Sequence, residues 1–369
     1  MIVIVVTIGF IAFFAFIEAL FAIGIMADSN ALLRKKNIEY SVVVAVRNEE
    51  EWIESCIQSL FNQSVQPSAI IVVDDHSDDK TFCIVHQMIA QNPLLVLLSC
   101  DHDETGKRAA LMKGISAVQT EVVLTIDGDC MARRDWALNM LSKFSENKKL
   151  VSGPVITLSK RCLNMPEYAE SLFLMAVGAG AASQGLMFQA SGANMLFLKS
   201  DFVDFYKSAS GAEFRCGDDV FFLQYIQKQY GRKASGFCSN SGAVVETHSS
   251  AGIKEWIFQR VRWASKSRGY SDWIPFAAGI LVLFSSSALV AAFILLIAQP
   301  EFSFFLLPVI LVKVMGDVLL LFSSAFAWKA PVRVLSFFML PLFYPLFLMS
   351  VGSAMIFQKN KIWKGRAIS

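Results

Sequence analysis

Four stretches of this chain, residues 1–26, 274–299, 302–328 and 332–357, are long and apolar enough to cross a bilayer. A helix needs about 20 apolar residues to span the ~30 Å hydrocarbon layer, and a soluble core rarely supplies such runs. Between the first stretch and the other three lies a polar region, residues 37–270, of ordinary soluble composition. The order is therefore an anchor at 1–26, a catalytic-sized domain at 37–270, a membrane bundle at 274–357 and a basic tail at 358–369. The composition agrees: 54% of residues are hydrophobic and only 17% charged, which is too apolar for a soluble enzyme. Residues 1–26 contain one charge, Glu18, and lack a basic start and a small-residue cleavage site. They read as a retained anchor rather than a removed signal peptide.

Arg34, Lys35 and Lys36 follow the first span and, by the positive-inside rule, put the polar domain in the cytosol of a multi-pass protein of the cell membrane. Lys329 and Arg333 agree with that side; the tail cations Lys359, Lys361, Lys364 and Arg366 do not, if all four segments cross. Residues 332–357, broken by Pro341 and Pro345, either cross or re-enter. Lys313 and Asp317, at i and i+4 inside the third apolar segment, read as an internal ion pair. Seven cysteines without metal-ligand spacing fit a reduced compartment. A net charge of +2 with no basic cluster gives no reason to expect nucleic acid.

The polar region alternates strand and helix. Residues 40–46, 69–73, 94–98 and 121–126 are continuous apolar runs suited to buried strands, with helices at 50–62, 81–90 and 108–118. That alternation predicts a parallel α/β sheet covered by helices on both faces. Ligands of such sheets bind beyond the carboxyl ends of the strands. The polar clusters fall there: Arg47-Asn48-Glu49, Asp74-Asp75 and Asp127-Gly128-Asp129.

Alternate carboxylates at Asp127 and Asp129 suit a hard divalent cation bridging a diphosphate, or equally a solvated Asp-Gly turn. Gly217-Asp218-Asp219 opens a helix, where acids serve as caps or as a general base. Gln259, Arg262 and Trp263 share one face of a helix at 253–264. Trp263 there is an interfacial anchor or a sugar-stacking ring, and Arg262 can neutralise a leaving diphosphate. The apolar, Gly- and Ala-rich stretch 166–189 reads as an interfacial helix pair guiding a lipid, or as core packing.

Taken in order, Asn48-Glu49, Asp74 to Asp79, Lys107, Asp127-Gly128-Asp129, Gly192-Ala193-Asn194, Gly217-Asp218-Asp219 and Gln259-Arg260-Val261-Arg262-Trp263 resemble the inverting family 2 glycosyltransferases. The resemblance is to the membrane branch of cellulose synthase, hyaluronan synthase and ceramide glucosyltransferase, and it covers residues 40–263. It implies a GT-A type nucleotide-sugar-binding domain, and a role for each matching residue. Glu49 and Asp75 would hold the nucleoside, with Asp75 reading the edge of uracil, and Lys107 would lie near the nucleotide. Asp127 would contact ribose or metal, and Asp129 would bind Mg²⁺ or Mn²⁺ on the diphosphate. Asp219 would be the catalytic base, while Gln259, Arg262 and Trp263 would close over donor and acceptor. Ala45 departs from the proline common in relatives, and His248 matches a position where relatives can place a metal or phosphate contact.

Three functions compete: transfer from a nucleotide-sugar donor to a lipid acceptor, processive synthesis of a growing glycan, and nucleotide sensing by a transporter or scaffold. Intact acids at Asp129 and Asp219 weigh against the third, because sensing needs no base. The lipid reading is favoured over a polymer, because so few spans can hardly enclose a hydrated channel in one chain, although a homo-oligomer would relax that limit.

Overall fold

The computed structural model describes residues 2–31, 37–90, 92–102, 105–158, 165–208, 218–357, 361–363 and 366–368. Arg34, Lys35, Lys36, Cys162, Cys216, Gly217, Lys359 and Lys364 lie outside the described residues. Helix α1 (Ile2–Ser29) precedes the sheet domain. The first half of that domain runs β1 (Tyr40–Val46), α2 (Ile53–Phe61), β2 (Ala69–Asp74), α3 (Thr81–Ile89), β3 (Leu95–Ser99), α4 (Lys107–Ala117) and β4 (Val122–Asp127). These elements match the sequence expectation to within a few residues.

The second half is β5 (Met131–Ala132), α5 (Trp136–Lys143), β6 (Leu150–Ser152), β7 (Val155–Leu158), α6 (Met165–Ser183), β8 (Met195–Leu198), α7 (Lys199–Lys207), α8 (Asp218–Tyr230), β9 (Ser235–Phe237), β10 (Val245–His248) and α9 (Ile253–Ser265). Among the described residues the main sheet has seven strands in the order β3-β2-β1-β4-β8-β6-β9. The first four pair in parallel, but β8 runs antiparallel to both β4 and β6. The sheet is thus mixed, not wholly parallel as the alternation suggested. The antiparallel strands are three or four residues long, too short to show a period in sequence. A small sheet, β5-β10-β7, sits beside the end of β4.

Successive side chains on a strand face opposite ways, and here they feed two cores. Val42, Val44, Ile70, Val72, Leu124 and Ile126 pack with Ile53, Leu60 and Trp136 on one face. Val43, Ile71, Val73 and Val123 pack with Leu111, Ile115, Phe202 and Phe222 on the other. Helices cover both faces, as expected.

Helices α10 (Ile274–Ala298), α11 (Ser303–Ala327) and α12 (Val334–Phe357) follow. Among the described residues three segments are long and apolar enough to cross a membrane: Gly9–Ser29, Ile274–Ala298 and Pro300–Ala327; within α12 the apolar stretch is shorter, Leu340–Met355. Pro341 and Pro345 lie inside α12 without ending it.

The stretch 166–189 corrects one expectation. Residues 166–183 of it lie in the single helix α6 rather than a helix pair, and one face of α6 is core: Tyr168, Leu172, Phe173 and Ala176 pack with Leu320, Leu321, Phe337 and Tyr344 of α11 and α12. A Cβ at Gly180 would lie 2.3 Å from Phe21 Cβ, so the missing side chain is what lets α1 approach.

Ion pairs fasten this bundle together and to the sheet domain. Lys313 does pair with Asp317, and a third group the spacing did not reveal, Glu18 of α1, accepts from Lys313 Nζ at 2.9 Å. Asp28, at the end of α1, pairs with Lys143 of α5 and accepts the Ser239 amide at 2.8 Å. Arg133 bonds Glu246 and donates to the Trp328 carbonyl at 2.6 Å, which holds the α11–α12 turn against the sheet domain.

Candidate functional site

The carboxyl ends of β1, β2 and β4 open onto a cleft of about 530 Å³ that continues to α6, α9 and the start of α10. Glu49, Asp75, Lys107, Asp127, Asp129, Asp219, Gln259, Arg262 and Trp263 all line it, as does His248. The loop acids, Lys107, the Asp127–Asp129 turn, Asp219 and the α9 face thus line one cleft.

Two loops at one end of the cleft are cross-strapped. The Asn48 amide donates to Ser77 Oγ at 3.0 Å, the Asp78 amide to Asn48 Oδ1 at 2.8 Å, and the Glu49 amide to Thr81 Oγ1 at 2.7 Å. Asn48 and His76 adopt φ of 52° and 53°, a left-handed turn that Asn tolerates better than most residues. Arg47, buried, donates to the Asp75 and His76 carbonyls at 2.7 and 2.6 Å. Asp75, only 1% exposed, accepts the Gly106 amide at 3.0 Å.

Asp127 and Asp129 flank Gly128. A Cβ at Gly128 would lie 2.7 Å from Val46 Cγ1 and 3.2 Å from Glu49 Cγ, so glycine lets the acidic turn press against the first loop. The Asp127 carboxylate pairs with Lys107, whose ammonium it holds above the usual lysine range against the opposing effect of burial. No three metal-ligating side chains converge among the described residues. The donor set nonetheless fits a divalent cation of the kind that takes one or two carboxylates and completes its shell with phosphate and water. Asp129, which among the described residues accepts only from the weak Cys130 thiol donor at 3.3 Å, is the carboxylate best disposed to serve it. Burial pushes the Cys56 and Cys130 thiols up, aided by Asp129 and Asp127, so both stay protonated; among the described residues Cys56, Cys83, Cys100, Cys130 and Cys238 are free.

Asp219 stands in the first turn of α8, and its Oδ2 accepts the Gly192 amide at 3.3 Å from a separate loop. Its Oδ1 accepts the Val220 amide of its own first turn at 2.9 Å. Asp218 beside it pairs with Arg108 at 3.3 Å. Burial pushes the Asp218 carboxyl up to about 6, against the lowering effect of Arg108.

Helix α9 forms the far wall. Gln259, Arg262 and Trp263 line the cleft, and Trp263 is 43% exposed, compatible with both anchoring and stacking. Sequence reading missed what holds this wall. Arg260, buried, makes a two-pronged salt bridge to Glu170 of α6, and its guanidinium lies 4.2 Å from the Trp263 ring centre. Glu167, one helical turn before Glu170, accepts the Ser250 amide and hydroxyl at 3.0 and 2.8 Å just ahead of α9. Acids in an otherwise apolar helix were the available signal, since buried carboxylates need partners.

Comparison with known proteins agrees with this geometry. Residues 41–202 match the family model described as "Glycosyl transferase family 2". The chain is 31% identical over 111 residues to the putative glycosyltransferase EpsH of Bacillus subtilis, covering 30% of this chain and 32% of that one. It is 28% identical over 169 residues to the poly-beta-1,6-N-acetyl-D-glucosamine synthase of Staphylococcus aureus, covering 44% and 40%. The matches thus span about a third to two-fifths of the length of these relatives. The mannosyltransferase PcManGT from Pyrobaculum calidifontis, solved with GDP-Man and Mn²⁺, shares the fold at a TM-score of 0.53 and 16% identity, over 89% of this chain and 98% of that one. The sheet domain of this chain has a GT-A-like α/β fold flanked by apolar helices, and most of it, residues 41–202, is similar to the family 2 glycosyl transferases.

Proposed function

We propose that this protein transfers a sugar from a nucleotide-sugar donor, UDP-linked, to a membrane lipid, with inversion at the anomeric carbon. The observation that carries the reading is the single cleft in which the loop acids, the Asp127–Asp129 pair, Asp219 and the Gln259–Trp263 face meet. In this reading Glu49 and Asp75 hold the nucleoside, and Lys107 keeps Asp127 oriented toward the ribose. A bound Mg²⁺ or Mn²⁺, held through Asp129, would supply charge neutralisation on the diphosphate. Asp219 takes the proton of the acceptor hydroxyl as its oxygen attacks the anomeric carbon. The bond to the diphosphate breaks on the opposite face, and Arg262 receives the charge that develops there. Trp263 and Gln259 keep acceptor and donor aligned and exclude water.

The lipid acceptor is supported by the cleft's far end, which Ser171, Leu174 and Met175 of α6 and Pro275 of α10 line beside the apolar helices. A cytosolic face for the sheet domain is supported by the cationic turn after α11. Lys329 offers its carbonyl to Arg133, and the Arg333 guanidinium lies 5.1 Å from the Tyr168 ring centre, both on the side of the sheet domain. Similarity to a polysaccharide synthase favours a second reading, processive extension of a glycan.

The test is reconstitution of the full chain with a panel of UDP- and GDP-sugars and membrane lipids. The expected product is a chloroform-extractable glycolipid formed from a UDP-sugar. A water-soluble, high-mass polymer would establish the second reading, and no release of nucleoside diphosphate with any donor would refute both.

A further inference from the structure

Three consecutive residues at the start of α4 each hold a different wall of the cleft. The Gly106 amide donates to Asp75, just past the end of β2. Lys107 pairs with Asp127 at the end of β4, and Arg108 pairs at 3.3 Å with Asp218 in the first turn of α8. The helix that carries these three residues is itself fixed, because Ala110, Leu111 and Ile115 are buried against Val43, Ile71 and Val73 of the sheet. The corner 106–108 therefore sets where the donor-side acids stand relative to α8.

Lys107, Asp218 and Asp219 line the cleft, whereas Arg108 stands behind them. Its guanidinium lies 4.4 Å from the Tyr206 ring centre and 5.7 Å from that of Phe205, both in α7. The Tyr206 hydroxyl donates back to the Arg108 carbonyl at 3.0 Å. Packed against these rings, the guanidinium is held facing Asp218, which is 8% exposed and needs a counter-charge in place. Asp219 is the next residue, and its carboxylate is stretched between the Val220 amide of its own turn and the Gly192 amide of another loop. A shift of this first turn would break the Gly192 contact and carry Asp219 away from the donor side.

We infer that Arg108 is a positioning residue: through Asp218 it fixes the first turn of α8, and with it the distance from Asp219 to the donor-binding acids. The inference rests on the reading of Asp219 as the base, but part of its test does not require turnover.

The experiment compares Arg108→Met, Arg108→Lys and the double variant Arg108→Met with Asp218→Leu in the detergent-solubilised full chain. Thermal melts read stability. Arg108→Met strands a buried acid and should melt lower, and the double variant, which also removes that acid, should recover. Hydrogen exchange at the Gly192 amide reads whether Asp219 is in place, and calorimetry with UDP and Mn²⁺ reads the donor side. In Arg108→Met and in the double variant the Gly192 amide should exchange about tenfold faster, as for loss of a charge-assisted bond. Turnover should fall by about ten- to a hundredfold with UDP affinity unchanged, the usual effect of a misplaced catalytic group. Arg108→Lys keeps the charge and should stay within about threefold of wild type in both readouts. Wild-type exchange at Gly192 in the double variant, or turnover that recovers together with stability, would overturn the inference. A matching loss of UDP affinity would also overturn it, by making Arg108 part of the donor site. Asp219→Asn tells the two failures apart. Wild-type turnover in that variant would strike the base assignment, while exchange at Gly192 still decides whether Arg108 holds α8. On the Asp219→Asn background Arg108→Met should cost little further turnover, and a loss as large as on the wild-type background would overturn the inference.

Discussion

Glu170→Leu tests whether the α6–α9 ion pair does more than hold the protein together. Glu170 and Arg260 are 1% and 7% exposed at their side chains, and Glu170 also takes the Trp256 indole N–H at 3.4 Å. Removing the acid alone leaves a guanidinium buried without its counter-charge, which costs about 3–5 kcal/mol. Replacing both partners, as Glu170→Leu with Arg260→Met, should recover most of that loss, because well-packed apolar isosteres often equal a buried pair. Activity should not recover in step. The Arg260 guanidinium, 4.2 Å from the Trp263 ring, also donates to Gln259 Oε1, so its loss frees both residues of the wall. A cation–π contact is worth about 0.5–2 kcal/mol, hence a turnover lower by roughly 2- to 30-fold in the double variant. Thermal unfolding in detergent reads stability, and release of nucleoside diphosphate reads turnover. A double variant as fast as wild type would reduce Arg260 to a structural residue. A Glu170→Leu single variant as stable as wild type would refute the buried-charge argument itself.

Other expectations follow from the cleft. Asp219→Asn should keep donor affinity while lowering turnover by about two orders of magnitude, the usual worth of a general base; near wild-type rates with acceptor present would remove Asp219 from that role. EDTA should abolish transfer, and Asp129→Ala should weaken metal-dependent UDP binding in calorimetry; full activity in metal-free buffer would contradict the assignment. Asp218 gives a pH signature. Its carboxyl rises from 3.8 to about 6 on burial, so the folded protein holds an extra proton between those values. Stability should therefore fall as pH rises through that window, by about 3 kcal/mol at most, and Asp218→Asn should flatten the curve. An unchanged pH profile in that variant would show that another group is responsible.

The half of the sheet domain that ends at Asp127 was legible because β1, β2 and β4 are six or seven residues long, rich in β-branched residues and buried on both faces. Each ends in polar residues whose positions the register fixes: Val46 lies opposite Asp74, and Ala45 opposite Asp127. Beyond Asp127 legibility falls. Strands β6, β8 and β9 have three or four residues, and their direction depends on partners far along the chain. The acids and the Gln259–Trp263 face were readable as chemistry because their spacing is local. Their supports were not, since Arg260 meets Glu170 across 90 residues.

The same long-range pairs explain why the apolar helices matter to the chemistry. Glu18 meets Lys313 across 295 residues, tying α1 to α11 where an unpaired charge would be most expensive. Arg133 then fixes the end of α11 to Glu246 of β10, the strand that also presents His248 to the cleft and pairs with β5 just beyond Asp129. On the other side, Glu170 fixes α6, packed in the bundle, to the wall that carries Arg262 and Trp263. The acid pair is thus referred to the apolar helices by the Arg133–Trp328 hydrogen bond and the wall by the buried Glu170–Arg260 pair acting through α6, so the width of the cleft is set by the bundle as much as by the sheet. A sheet domain cut free at residues 37–270 would keep its two cores but lose Glu18, Asp28 and the 328–333 turn, and with them the reference that holds the cleft at its working width.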